Sequence, residues 1–168
     1  MAEAVSLQAI LKLVGSMTNA LDLSTSSDPL SRDYTITYAS GTGANQANMW
    51  WHDQRILTAS ATENLDLAGS LTSAFGTTIT MTSMKGILVF AATANTNDVQ
   101  VTRPATNGVP WLIAAGDGIA LKPGAWVAWF DPSANGATVT AGTGDLITFT
   151  NSAGGTSVTY DVFLLGEV

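Results

Sequence analysis

Chemistry in this chain would have to begin at His52, its one histidine, which stands in Trp50-Trp51-His52-Asp53-Gln54-Arg55. A His beside an Asp is raw material for general acid–base catalysis. Adjacent residues on a strand point to opposite faces, however, and could share one site only across a bulge. No Gly-x-Ser-x-Gly elbow supplies a nucleophile for a Ser-His-Asp arrangement. Glycoside cleavage needs paired carboxylates, and the nearest pair is Glu63 and Asp66 in Thr62-Glu63-Asn64-Leu65-Asp66-Leu67. On a strand Glu63 shares its face with Leu65 while Asp66 lies opposite, the pattern of an amphipathic edge. Asn95-Thr96-Asn97-Asp98 offers oxygens to a calcium ion but lacks the length and acidic spacing of an EF-hand loop, so it reads as a turn. Gly41-Thr42-Gly43 and Gly116-Asp117-Gly118 are too short to cradle a phosphate and lack the Lys that should follow. The absence of cysteine excludes thiolate metal sites, cysteine nucleophiles and disulfides. The expectation is a non-enzyme with no catalytic, cofactor-binding or metal-binding residue.

Five tryptophans, at 50, 51, 111, 126 and 129, are many for 168 residues. Aromatic platforms bind sugars by stacking, but Trp50 and Trp51 face opposite ways on a strand, as do Trp126 and Trp129, so only some of them can reach any one surface. Packing in a core or against another subunit is the reading that needs no ligand.

The elements that would position these residues are strands. Threonine, serine, glycine, alanine and valine run from end to end, and long helix formers are scarce. Thr78 to Thr82, Thr138 to Thr140, Leu146 to Thr150 and Val158 to Val162 alternate hydroxyls with apolar groups. Turn signals separate them at intervals of roughly 8 to 12 residues: Asn107-Gly108, Asp117-Gly118, Pro123-Gly124, Asn135-Gly136, Gly144-Asp145 and Gly154-Gly155. That cadence predicts an all-β fold, a β-sandwich or jelly roll. Ile87 to Ala91 and Ala125 to Phe130 are apolar on both faces of any strand they form, and Val162 to Leu165 resembles them. A two-layer sandwich buries only one face of a strand, so something must cover the other, either the chain itself or a second subunit. With 11% charged residues the surface is poor in charge, against about 25% in a typical domain, which favours a subunit.

Thirteen acidic against six basic side chains give a net charge of −7 and a pI near 4.2. Such a balance repels a phosphate backbone, so no direct nucleic-acid partner is expected. No apolar run approaches the ~18 residues of a membrane span, and Glu3 precedes the first apolar stretch where a secretion signal needs positive charge. Residues 1–48 differ in texture from the rest. Leu7 to Leu13 fits a strand, although Leu7, Ile10, Leu11 and Val14 also fit one helical face, and Tyr34 to Tyr38 reads as a second strand. Between and after them lie the polar Ser24-Thr25-Ser26-Ser27-Asp28-Pro29 and the glycine-rich Gly41 to Gln46. The segment 1–48 is thus expected to be an extended N-terminal arm or clasp with one or two strands, hinged at its polar stretches, on a sandwich body spanning 49–168.

The run Gly41-Thr42-Gly43-Ala44-Asn45-Gln46-Ala47-Asn48-Met49-Trp50-Trp51-His52-Asp53-Gln54-Arg55, then Glu63 to Gly69, Val139 to Asp145 and Gly155 to Val162, resembles small structural proteins of tailed bacteriophages. The resemblance covers most of the chain in phrasing and carries no catalytic signature. It implies a virion component on the outer capsid surface, a decoration or cement protein that stabilises the assembled head by binding the major capsid protein. It also implies a homo-oligomer, with a trimer expected. The alternative within virions is a head-fibre, tail or receptor-binding module contacting host glycans.

Overall fold

Alternation in the sequence becomes alternation in burial. In β13 (Leu146–Asn151) Ile147 and Phe149 are buried while Thr148 and Thr150 turn outward, and in β9 (Val99–Thr102) Val99 and Val101 are buried around an exposed Gln100. The structure, a computed structural model, describes residues 4–168, and among these there are strands and loops but no helix. Glu3 lies outside the described residues. One antiparallel sheet has the order β10-β9-β13-β5, with β10 at Gly118–Leu121 and β5 at Thr62–Asp66. A second has the order β11-β8-β14-β4, built from β11 (Trp126–Phe130), β8 (Ser83–Ala91), β14 (Val158–Glu167) and β4 (Met49–Leu57). Short β12 (Ala137–Thr138) continues beside β8 where β11 ends, and β6 (Ala68–Thr72) pairs with β7 (Thr78–Thr80).

The sheets face each other across one core. Ile87 and Val89 of β8, Tyr160, Val162 and Leu164 of β14, and Val101, Ile147 and Phe149 from the opposite sheet form one buried cluster. The Phe149 ring stacks on Tyr160 at 4.6 Å between centroids, joining the two sheets by aromatic contact. The all-β sandwich that the alternation predicts is the fold observed. Turn residues sit where the backbone requires them: Asn107 has φ 59°, Gly136 has φ 56°, and a Cβ on Gly136 would strike the Met84 carbonyl.

The N-terminal segment forms more regular structure than its composition suggests. β1 (Leu7–Ala20) and β2 (Thr25–Ser40) pair antiparallel without interruption from Leu7↔Tyr38 to Ala20↔Thr25. A short connection at Leu21 to Ser24, with the Leu21 amide donating to the Ser24 carbonyl at 2.8 Å, closes this ribbon. The stretch Ser24 to Pro29, read from sequence as a hinge, is mostly strand. Serine and threonine suit a pleated ribbon, the Ser16 and Ser27 hydroxyls bond across it at 2.8 Å, and Pro29 is tolerated because β2 has no second neighbour there. At its base β2 pairs in parallel with β3 (Gln46–Ala47). The loop between them closes on itself: the Gly43 amide donates to Gln46 Oε1 at 2.8 Å, and Gly41 leaves no room for a Cβ.

Candidate interaction surface

Strands β8 and β11 carry the runs that are apolar on both sides, and the pairing register shows what each side does. Ile87, Val89 and Ala91 face the core, whereas Leu88 and Phe90 face outward. Across β11, Trp129 and Val127 pack against the core, and Trp126 points outward with 52% of its surface exposed. The register aligns outward residues in rows across the sheet: Trp126, Phe90, Asp161 and Gln54 in one, Ala128, Leu88, Phe163 and His52 in the next, then Phe130, Gly86, Leu165 and Trp50. A β-bulge between Leu165 and Gly166 ends this regularity at the last turn of β14.

Part of this outer face is covered from within the chain. The ribbon base lays Val5, Tyr38, Leu7 and Ile36 over Leu165, Phe130 and Phe163. Gly86 makes the fit: a Cβ there would collide with the Phe130 ring, which instead sits directly against the strand, tilted against the Tyr38 ring at 6.5 Å between centroids. The Tyr38 hydroxyl donates to the Lys85 carbonyl at 3.4 Å. Burial, with Asp131 nearby, pushes its pKa up to about 12. Away from the base the ribbon and the sheet diverge, leaving a groove of about 870 Å³ whose walls are Ala9, Leu11 and Tyr34 on one side and Phe90, Trp126 and Ala128 on the other. Every residue from Ile10 to Thr35 is exposed.

The residues singled out by type fall elsewhere or are already engaged. His52 and Asp53 point to opposite faces, His52 onto the outer apolar face and Asp53 Oδ2 to Arg55 Nη1 at 3.2 Å. Glu63 is held by Arg55 Nη2 at 2.5 Å and by the Tyr160 hydroxyl, which donates to its Oε1 at 2.6 Å. That ring of contacts clasps β4 and β14 to β5 across the open side of the sandwich. It raises the pKa of Arg55, chiefly through the Glu63 bond, and burial followed by the Glu63 bond raises that of Tyr160. Asp66 Oδ1 accepts from the Ala68 amide at 2.8 Å and so serves a turn. Asn95 is bonded in both directions to the Thr159 backbone, and Asn97 donates to Asn151 and to the Ala153 and Thr156 carbonyls. Among the described residues no group of three or more His, Asp and Glu side chains is placed to hold a metal ion. Trp51 and Trp111 are buried and Trp129 is half-buried against the core; Trp50, 6.3 Å from Phe163, and Trp126 lie on the outer apolar face.

Sequence reasoning missed one buried charge pair. Lys85 is fully buried on the inner side of β8, where its Nζ donates to the carbonyls of Ser133 and Ala134 and meets Glu167 at 3.0 Å. The partners lie about half to four-fifths of a hundred residues away in sequence, and the one signal was a lysine interrupting an otherwise apolar strand. Together these contacts anchor the end of β14 and the loop at 131–136; they offer a substrate nothing. No protein family, no curated protein and no solved structure matches the chain.

Proposed function

We propose that this chain is a non-enzymatic structural subunit of a tailed-phage particle, a decoration or cement protein that self-associates, as a trimer, and binds the major capsid protein on the outer surface of the head. The observation that carries the assembly part of this reading is the outer face of the β11-β8-β14-β4 sheet, where Trp126, Phe90, Leu88 and Phe163 stand in register beside a ribbon that is itself exposed. Contiguous apolar surface of this kind marks association in proteins that are otherwise soluble. The phage setting rests on the sequence resemblance alone. A protein that binds an assembled shell but not its loose subunits stabilises the shell by mass action, and burial with backbone pairing suffices for that task. The test is co-sedimentation of the purified chain with capsid shells stripped of it, followed by heating. Binding with a raised shell melting temperature is expected; a chain that stays in the supernatant at micromolar concentration sinks the capsid assignment.

A second reading has its own support. Trp126 and Trp50 are exposed on the same face as Asp161 and His52, a set that could stack on and hydrogen-bond a sugar. In that case the chain is a head-fibre, tail or receptor-binding module, and a glycan array probed with the isolated protein, with Trp126→Ala as the control, decides it.

A further inference from the structure

The ribbon has two unlike faces. One carries Leu11 opposite Tyr34, Leu13 opposite Arg32, Gly15 opposite Leu30 and Met17 opposite Asp28; the other sets Ile10 and Val14 singly among Thr35, Lys12, Asp33, Ser31, Ser16, Pro29, Thr18 and Ser27. The first face is apolar and stands open, with Leu13 45%, Leu30 47% and Tyr34 60% exposed. A lone two-stranded ribbon is marginal in water, so this one needs something to lie on. The sheet presents the matching deficiency, because Trp126 and Ala128 are exposed and Phe90 is only half-buried where the groove widens. Among the described residues neither Arg32, on the middle of the apolar ribbon face, nor Asp161, on the apolar sheet face, has an ion-pair partner: Arg32 Nη1 donates to the Ser31 carbonyl and Asp161 Oδ1 accepts from Gln54.

We propose that the two faces cover each other between copies, the ribbon of one chain lying across the outer face of the β11-β8-β14-β4 sheet of a second copy, with Arg32 meeting Asp161. This rests on the assembly reading above and gives that reading its contact. A second copy is the occupant that satisfies both surfaces at once, since the surface lacking cover and the surface able to supply it belong to one sequence and their charges are opposite. The overhanging part of the ribbon is about 33 Å long and two strands about 4.8 Å apart in width, so one contact buries roughly 600–700 Å² over both partners, and two copies exchanging ribbons reciprocally bury about 1,200–1,400 Å², the lower edge of a standard interface. Repeated head to tail, the same contact closes a ring if its rotation allows.

The chain has no cysteine, so single cysteines can be placed without interference. A tagged Leu13→Cys chain is co-expressed with an untagged Ala128→Cys chain, and the purified full-length protein is treated with a short bis-maleimide. The expected result is a tagged-to-untagged cross-linked dimer, lost when the untagged chain carries Thr148→Cys on the opposite outer face. Arg32→Glu in the tagged chain should lower the yield, and Asp161→Arg in its partner should restore it. The proposal is overturned if Ala128 gives no more product than Thr148. It is equally overturned if a Leu13→Cys/Ala128→Cys double variant links only within one chain, which would mean that the ribbon folds onto its own sheet. Shells that still capture a chain failing this test would leave the capsid reading intact while removing the ribbon exchange.

Discussion

On the outer face of β13 and β5, Thr62 meets Thr150 at 3.0 Å and Thr148 donates to Asn64 at 2.6 Å. On the outer face of β8, β11 and β14, Leu88 lies across from Phe163 and Phe90 across from Trp126. The strands, the core between them and the pleat are shared, and the two exteriors differ in what lies over them, since the ribbon base packs on only one. A polar exterior satisfies water, and an apolar one at the same depth loses roughly 25 cal/mol for each Å² it leaves exposed relative to cover. The chain keeps the first toward solvent and covers only a strip of the second with Tyr38, Leu7 and Ile36. The difference teaches that the uncovered strip is the surface on which the proposed contact depends.

The comparison breaks if the outside of β8 proves as important to folding as its inside. The largest loss is expected inside. Lys85→Ala strands Glu167 without its cation and frees two carbonyls, and breaking a buried pair costs about 3–5 kcal/mol. Denaturant unfolding of the variant measures it, and a loss below ~1 kcal/mol would remove the anchor role. Next comes the pair on β11. Trp129→Ala, on the core side, should cost about 3 kcal/mol of folding stability. Trp126→Ala, 52% exposed, should spare the unfolding midpoint and lower the association measured by light scattering. Equal folding losses from both would erase the inside–outside distinction.

A smaller effect tests the covered strip. The folded state raises the Tyr38 pKa from 10.0 to about 12. A phenol that holds its proton more tightly when folded contributes stability that is complete below its unfolded value and is lost as pH rises through the folded one. Stability should therefore fall between pH 10 and about pH 12. Tyr38→Phe should flatten that fall in part, leaving the share due to Tyr160, which shifts in the same direction. An unchanged alkaline profile would mean that Tyr38 ionises outside the packed base.

How far these contrasts were legible in the sequence depends on the distance over which their causes act. Period-two alternation is a local property, so Leu146 to Thr150 and Val158 to Val162 announced both their strands and their buried sides. The opposite facing of Trp126 and Trp129, and of Trp50 and Trp51, followed from the same geometry. The apolar runs posed the right question without its answer, because cover for β8 comes from Tyr38 and Leu7, far back in the chain. The extent of the ribbon escaped because Ser24 to Pro29 is polar, and polarity is compatible with a strand whose two faces both meet water. Glu63 was seen as an edge carboxylate but not as the partner of Arg55 and Tyr160, since β4, β5 and β14 meet only through tertiary structure.

The smallest effect is expected on the polar exterior, from Thr148→Val. The replacement keeps the shape and β-branching of the side chain and removes a hydroxyl that donates to Asn64 Oδ1. A hydrogen bond is worth about 0.5–1.5 kcal/mol net. Asn64 is exposed and rehydrates when its donor is lost, so no buried acceptor is left bare. The valine gains slightly in strand preference, which acts in the opposite direction. These effects should nearly cancel, leaving folding stability within about 0.5 kcal/mol, as at ordinary surface sites. The variant should also keep the association of the parent protein, because this exterior takes no part in the proposed contact, whereas Phe90→Thr on the other exterior should reduce it. The measurement is a denaturant melt beside a light-scattering mass for each variant. If Thr148→Val instead loses more than ~2 kcal/mol, or changes the oligomer as Phe90→Thr does, the polar face participates in fold or assembly and the asymmetry between the two exteriors has been misread.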